Sequence, residues 1–209
     1  VIGPVTLTIH TTGPEATQQV GRIIGDQAQP GDIYLLTGPL GAGKTCLTQG
    51  IAWGLGVAGH PRSPTFVLIT HYQGRLTLHH MDLYRINDSL EAWDLGLEEF
   101  LSGDGVCVIE WADQAEELFP EDALWIDLDY ATRPPPPGVP AAPGKPAIEE
   151  RAVGADDAAG TGTGPVASGE AVNSRTITLG RHSPRYDSLL ARLSGVFPNG
   201  VFLNIETND

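Results

Sequence analysis

Gly38-Pro39-Leu40-Gly41-Ala42-Gly43-Lys44-Thr45 fits the spacing G-x-x-x-x-G-K-[ST], and the chemistry of that spacing is phosphate binding. Glycines let the backbone turn its N–H groups around an anion, and the N-terminus of a following helix adds a favourable partial charge. In that arrangement Lys44 reaches the β/γ-phosphates of a nucleotide, and the Thr45 hydroxyl holds Mg²⁺. Such a loop needs a carboxylate to complete the Mg²⁺ shell and a group to position attacking water. Asp82, which closes Leu76-Thr77-Leu78-His79-His80-Met81, and Glu110, which closes Val106-Cys107-Val108-Ile109, are the candidates. Either one alone could be a solvated strand end; two in one chain with this loop point to ligands. Ser63-Pro64-Thr65-Phe66 falls where phosphate switches place a γ-phosphate sensor; the competing reading is an ordinary capped turn. His79-His80 invites a metal reading, but adjacent strand residues point to opposite faces and do not share an ion.

These groups need strands to carry them and a helix behind the loop. Asp32-Ile33-Tyr34-Leu35-Leu36-Thr37 has the composition of a buried strand, and Cys46 to Leu55 that of a helix. Ahead of them, Val5, Leu7 and Ile9 alternate with threonines as a half-buried strand. A helix opens at Pro14, presents Ala16, Val20, Ile23 and Ile24 on one face, and ends at Pro30-Gly31. Phe66 to Tyr72 and Arg75 to Asp82 form two strand-like runs about Gln73-Gly74, a hairpin signal. Leu90, Trp93, Leu97 and Leu101 have helical spacing across 90–101, and Val106 to Trp111 has the pattern of a central parallel strand. Both carboxylates would then emerge at one edge of the sheet, where ligands of doubly wound folds gather. Leu124 to Tyr130 alternates again. Residues 131–174 are dominated by Pro, Ala, Gly and Thr, with no periodic apolar face. They are expected to be a disordered, overgrown hairpin loop, because Arg175 to Leu179 resumes the alternation and a short amphipathic helix follows at Tyr186 to Leu193. Trp53 and Trp93 are expected in the core, and Trp111 beside the nucleotide.

The 209 residues suit one domain, and 41% hydrophobic content supports a sizeable core. A net charge of −14 argues against autonomous nucleic-acid binding, which needs a cationic surface. Cys46 and Cys107 lie in apolar segments and are expected as free buried thiols in a reducing cytosol. No apolar run approaches the roughly 20 residues of a membrane span, and residues 1–20 lack the basic-then-apolar order of a signal peptide. A cytoplasmic chain without membrane contact is the expectation. The absence of an N-K-x-D stretch leaves guanine selection unsupported.

G-x-L-G-A-G-K-T, S-P-T-F, H-x-D-L-Y-R from His80 to Arg85, L-G-L-E-E from Leu95 to Glu99 and I-E-W from Ile109 to Trp111 occur in this order and spacing. Together they resemble the TsaE family, the bacterial ATPases of tRNA threonylcarbamoyladenosine biosynthesis. The resemblance covers residues 5–130 and resumes over about 175–195. It implies an α/β, P-loop NTPase-like sandwich with a mostly parallel central sheet and an antiparallel C-terminal hairpin. It further implies that ATP is bound by Leu40, Gly41, Ala42, Gly43, Lys44 and Thr45, with Trp111, Pro14 and Arg175 nearby. Thr45, Asp82 and Glu110 would organise Mg²⁺, while Glu110, Lys44 and Thr65 would serve hydrolysis. The implied partners are TsaD and TsaB, which transfer a threonylcarbamoyl group to the adenosine beside the anticodon, with tRNA reached only through them. Pro39 departs from the family, whose members usually carry an acidic residue there, and 131–174 is atypical. Two other classes use the same loop: a small-molecule kinase, which needs an acceptor pocket and usually a basic lid, and a non-hydrolysing nucleotide switch or adaptor. Arg62 and Arg85 are the basic residues nearest the motifs.

Overall fold

Short β-rich apolar runs alternate with amphipathic stretches along this chain, a pattern that requires helices on the faces of a sheet. The computed structural model describes residues 5–86, 88–131, 174–180, 183–197 and 201–205. In chain order the elements are β1 (Val5–Thr11), α1 (Pro14–Gln27), β2 (Ile33–Thr37), α2 (Lys44–Gly54), β3 (Ile69–Tyr72) and β4 (Leu78–Asp82). They continue with α3 (Ser89–Asp94), α4 (Leu97–Leu101), β5 (Val106–Glu110), β6 (Leu124–Tyr130), β7 (Arg175–Gly180), α5 (Asp187–Val196) and β8 (Val201–Ile205). One sheet takes them in the order β3-β4-β5-β2-β6-β7-β1-β8. Its centre, β4-β5-β2-β6, is parallel, and both ends are antiparallel.

Successive residues of a strand face opposite sides, and this sheet uses both. On β2, Tyr34 and Leu36 join the core under α1, α2 and α5. Ile33 and Leu35 join a second core under α3, α4 and a 3-10 turn at Ala112–Leu118. Helices α1 and α2 press backbone to backbone: a Cβ at Gly25 would lie 2.0 Å from the Ile51 carbonyl oxygen, and one at Gly50 2.2 Å from that of Gln18. That contact holds the start of α1 beside the start of α2.

Several expectations need correction. The helix expected over Leu90 to Leu101 is two short helices, because Gly96 takes a left-handed φ of 72° between them and turns Leu97 into the core. The strand expected from Phe66 begins only at Ile69: Phe66 is 86% exposed, and Leu68 has a φ of 65°. The expected hairpin is present, with β3 antiparallel to β4, but Gln73-Gly74 is not a two-residue turn. The connection runs over 73–77, since the Arg75 guanidinium reaches across to donate to the carbonyls of Gly25, Asp26 and Ala28 at the end of α1. Trp53 is only half-buried, with its Nε1 donating to the Gly59 carbonyl at 2.7 Å, and Trp93 is 53% exposed on α3. Cys107 is buried and Cys46 half-buried; both are free thiols. Burial pushes the Cys107 thiol up to about 12. The strand β8, which pairs with β1, was not foreseen, although Val201-Phe202-Leu203 is a short apolar run.

At the expected insertion, β6 and β7 pair antiparallel with Tyr130 opposite Arg175, and Ala131 N donates to Ser174 O at 3.1 Å. Residues 132–173, on which the expectation of disorder rests, lie outside the described residues. Among the described residues no helix is long and apolar enough to cross a membrane.

Candidate phosphate and metal site

Three parallel strands end side by side and deliver the chemistry to one edge. In the register of β4 and β5, Asp82 lies opposite Glu110, and on β2 Leu36 lies opposite Glu110. One residue beyond Leu36, β2 gives way to the glycine-rich loop. Gly38 must be glycine: its φ is 120°, and a Cβ there would sit 1.9 Å from the Leu128 carbonyl oxygen. Gly43 caps α2 in a left-handed conformation, so the helix begins at Lys44 with its free N–H groups turned toward the loop.

Of the residues picked out by sequence, Leu40, Gly41, Gly43, Lys44 and Thr45 line one cleft of about 340 Å³ with Thr65, Asp82, Glu110 and Trp111. Ala42 is buried beneath the loop and does not line it. Pro14 and Arg175 stand outside the cleft, against its wall. The Pro14 carbonyl accepts from Cys46 Sγ at 3.3 Å. Arg175 donates to the Gly41 carbonyl at 3.3 Å and stacks 4.6 Å from the Tyr130 ring centre, whose hydroxyl donates to Leu40 O at 2.6 Å. Arg62 and Arg85 are exposed and do not line the cleft; Arg85 lies over the Phe66 ring at 5.0 Å.

Lys44 is buried at the centre. Its Nζ donates to Gly38 O at 2.5 Å and Pro39 O at 3.0 Å, and sits 3.5 Å from the centre of the Trp111 ring. Burial lowers its pKa, and the carboxylates Glu110, Asp113, Asp82 and Asp127 oppose that shift. Trp111 itself has a left-handed φ of 61°, a strained conformation for a bulky residue, and its ring lies against Tyr84 at 4.9 Å.

The two carboxylates are held differently. Asp82 Oδ2 accepts from the Ser63 hydroxyl and from Thr65 Oγ1 at 2.8 Å, while Oδ1 accepts from Tyr84 N at 3.0 Å. The Ser63-Pro64-Thr65-Phe66 turn is thereby tied to the end of β4. Glu110 Oε2 accepts from Thr45 Oγ1 at 2.8 Å; Oε1 accepts from Thr48 Oγ1 at 3.2 Å and contacts His80 Nε2 at 2.7 Å. A carboxylate only accepts, so His80 presents its Nε2–H, and its Nδ1 has no partner among the described residues. His80 and Thr48 are fully buried and Glu110 nearly so. Sequence reasoning missed His80 as a site residue. The available signal was its place two residues before Asp82 on the same strand face, a polar group on a face otherwise apolar at Leu78. His79 points the other way, to His71 Nδ1 at 2.8 Å and the Phe100 ring, so the two histidines do not meet.

The family model described as "Threonylcarbamoyl adenosine biosynthesis protein TsaE" matches residues 11–134. The tRNA threonylcarbamoyladenosine biosynthesis protein TsaE of Bacillus subtilis is 47% identical over 123 residues, 58% of this chain and 77% of that one. The protein of the same description from Treponema pallidum is 43% identical over 112 residues, 54% of this chain and 83% of that one. A crystal structure of Bacillus subtilis YdiB superposes with a TM-score of 0.63 at 31% identity, covering 91% of this chain and 95% of that one. By this match of sequence, which takes in the whole glycine-rich loop, both carboxylate strands and β6, the chain belongs to the TsaE family.

Proposed function

We propose that this chain has a P-loop nucleotide fold, binds ATP with Mg²⁺, and hydrolyses it in support of a TsaD–TsaB transferase that modifies the adenosine beside the anticodon of tRNA. The observation that carries the reading is the convergence of Lys44, Thr45, Asp82 and Glu110 in one cleft at the start of α2. The residues suit the metal. Thr45 supplies a hydroxyl, and Asp82 and Glu110 supply carboxylate oxygens, the hard donor set of an ion bound by one or two carboxylates plus substrate phosphates. When bound, Mg²⁺ supplies charge neutralisation at the β/γ-phosphates. The rest is done by the chain. The loop N–H groups and Lys44 hold the phosphates, exchanging the contacts of Lys44 to Gly38 O and Pro39 O for phosphate oxygens. Glu110, with Oε1 anchored in the interior, turns Oε2 to the cleft and orients water. Thr65, tied to Asp82, reports the γ-phosphate. Trp111 walls the site.

Among the described residues lining the cleft, Lys44 is the one basic group. A site with a single cation stabilises a phosphoryl transition state poorly, so turnover alone should be slow and a docked partner should raise it. The net charge of −14 keeps the tRNA backbone away from this chain, which puts tRNA on the partners. The chain works as one cytoplasmic domain with 131–174 as an insertion between paired strands. The test is phosphate release with and without TsaD and TsaB, with metabolite acceptors scanned alongside. Acceleration by the pair supports the reading. Phosphorylation of a small acceptor, or binding without release under all conditions, contradicts it.

A further inference from the structure

On the face of the sheet opposite α1 and α2 lies a second concavity that shares no residue with the cleft. It is a groove of about 340 Å³ between α4 and the 3-10 turn at Ala112–Leu118, floored by Leu97, Leu101, Leu118 and Phe119 and walled by Trp93. Trp93 is 53% exposed, and Leu90, three residues earlier on the same face of α3, is 78% exposed. Large apolar side chains held open around an apolar floor mark a binding surface rather than ordinary exposure. Among the described residues Glu98 is the one charged group lining the groove, with no convergent set of polar groups of the kind that fixes a small ligand.

Charge decides what fits. Fourteen of the 26 acidic residues lie between Arg85 and Arg133, and none of the twelve basic ones does. The groove is cut into this segment. Glu98 lines it, and Glu117 and Glu121 line a depression that adjoins it through Phe119 and Pro120. A second copy of the chain brings another −14 and is repelled. The chain's own segment 132–173 carries three basic and five acidic residues and offers no cationic match. Nucleic acid and anionic lipid are repelled by the same field.

We infer that this groove docks a cationic, amphipathic segment of a protein partner, with apolar side chains entering between Trp93 and Phe119 and Lys or Arg residues meeting Glu98 and Glu121. Such helix-in-groove recognition takes its affinity from the apolar anchors and its partner choice and salt dependence from the charges. The inference deepens the functional reading above and rests on it only for the identity of the partner.

Two variants test it, Trp93→Ala and the double Glu98→Lys/Glu121→Lys, all at exposed positions outside the cleft. The full chain is titrated against the TsaD–TsaB pair at low and high salt. Separately, it is titrated against a synthetic amphipathic helix of Leu and Lys, with a Leu and Glu helix as control. Expected are binding of the pair that weakens with salt, a loss of at least tenfold for each variant, and basal ATP turnover unchanged. The Leu/Lys helix should bind the parent chain and lose at least tenfold on both variants, while the Leu/Glu helix should not bind. Unchanged affinity of both variants for the pair overturns the inference and leaves the functional reading standing. Failure of the parent chain to bind the pair overturns the functional reading, and the Leu/Lys helix still reports on the groove. Equal binding of the Leu/Glu helix, a dimer abolished by Trp93→Ala, or a tenfold gain for the Leu/Lys helix on deleting 134–172 would each overturn it.

Discussion

His80 offers the sharpest perturbation, because it touches Glu110 and does not line the cleft. Glu110 Oε1 has two donors within reach, His80 Nε2 at 2.7 Å and, at 3.2 Å, the Thr48 hydroxyl, whose one proton is shared with the Lys44 carbonyl at 3.0 Å. His80→Ala removes the shorter one and leaves this nearly buried oxygen with only the longer Thr48 contact, while Oε2 keeps its bond from Thr45 Oγ1. Loss of such a supporting contact costs about 10–100-fold in activity, or about 1.4–2.7 kcal/mol in the barrier. The lost bond and the small cavity together cost about 3 kcal/mol of stability, which lowers Tm by about 6–12 °C in a chain of this size. His80→Gln carries an amide that can donate to Oε1 and should recover most of the rate. The assay is steady-state phosphate release in the presence of TsaD and TsaB, with a thermal melt on each variant. KM for ATP should move less than about threefold, since the phosphate cradle is untouched. A folded His80→Ala variant with the parent kcat would refute the positioning role, as would a loss confined to KM.

Three further outcomes follow from the packing and the charges. Gly25→Ala puts a methyl group 2.0 Å from the Ile51 carbonyl oxygen and should force α1 off α2, lowering stability by about 3 kcal/mol in a denaturant titration; an unchanged midpoint would contradict the close approach. Burial, with the His71 charge adding, holds the His79 pKa below its usual value, so the folded state binds fewer protons there than the unfolded chain. The resulting stability is present above about pH 6.5 and is lost as pH falls through the lowered folded pKa, so Tm should drop less between pH 7 and 5 in His79→Asn than in the parent. Replacing 134–172 with a short Asn-Gly turn should keep Tm within a few degrees, because loop length enters stability logarithmically and β6 already pairs with β7; a large fall would show that the segment packs on the domain.

The parts of this molecule that sequence revealed are those fixed by local pattern. The glycine-rich loop, the buried run of β2 and the carboxylates ending β4 and β5 all follow from residue type and spacing, and they meet because parallel strands share an edge. What stayed hidden depends on tertiary contacts. The Arg75 guanidinium widens a turn by bonding to the end of a distant helix. Gly96 splits a helix whose apolar spacing alone suggests continuity. Trp93 has the spacing of a core residue, but α3 and α4 are too short and too bent to bury it. His80 was hidden by its neighbour: the pair drew attention as metal ligands, whereas only the partner strand shows that one ring serves Glu110 and the other His71.

The role proposed for Glu110 is to drive ATP hydrolysis in a cleft that Lys44 and Thr45 make competent for binding. The measurement that tests it most directly is phosphate release by Glu110→Gln in the presence of TsaD and TsaB, paired with ATP affinity measured on the same protein. Gln keeps the size and an acceptor oxygen but loses the charge, so ATP affinity should stay within about threefold while kcat falls by about 10²–10³-fold. Parent-level turnover by Glu110→Gln would contradict the account.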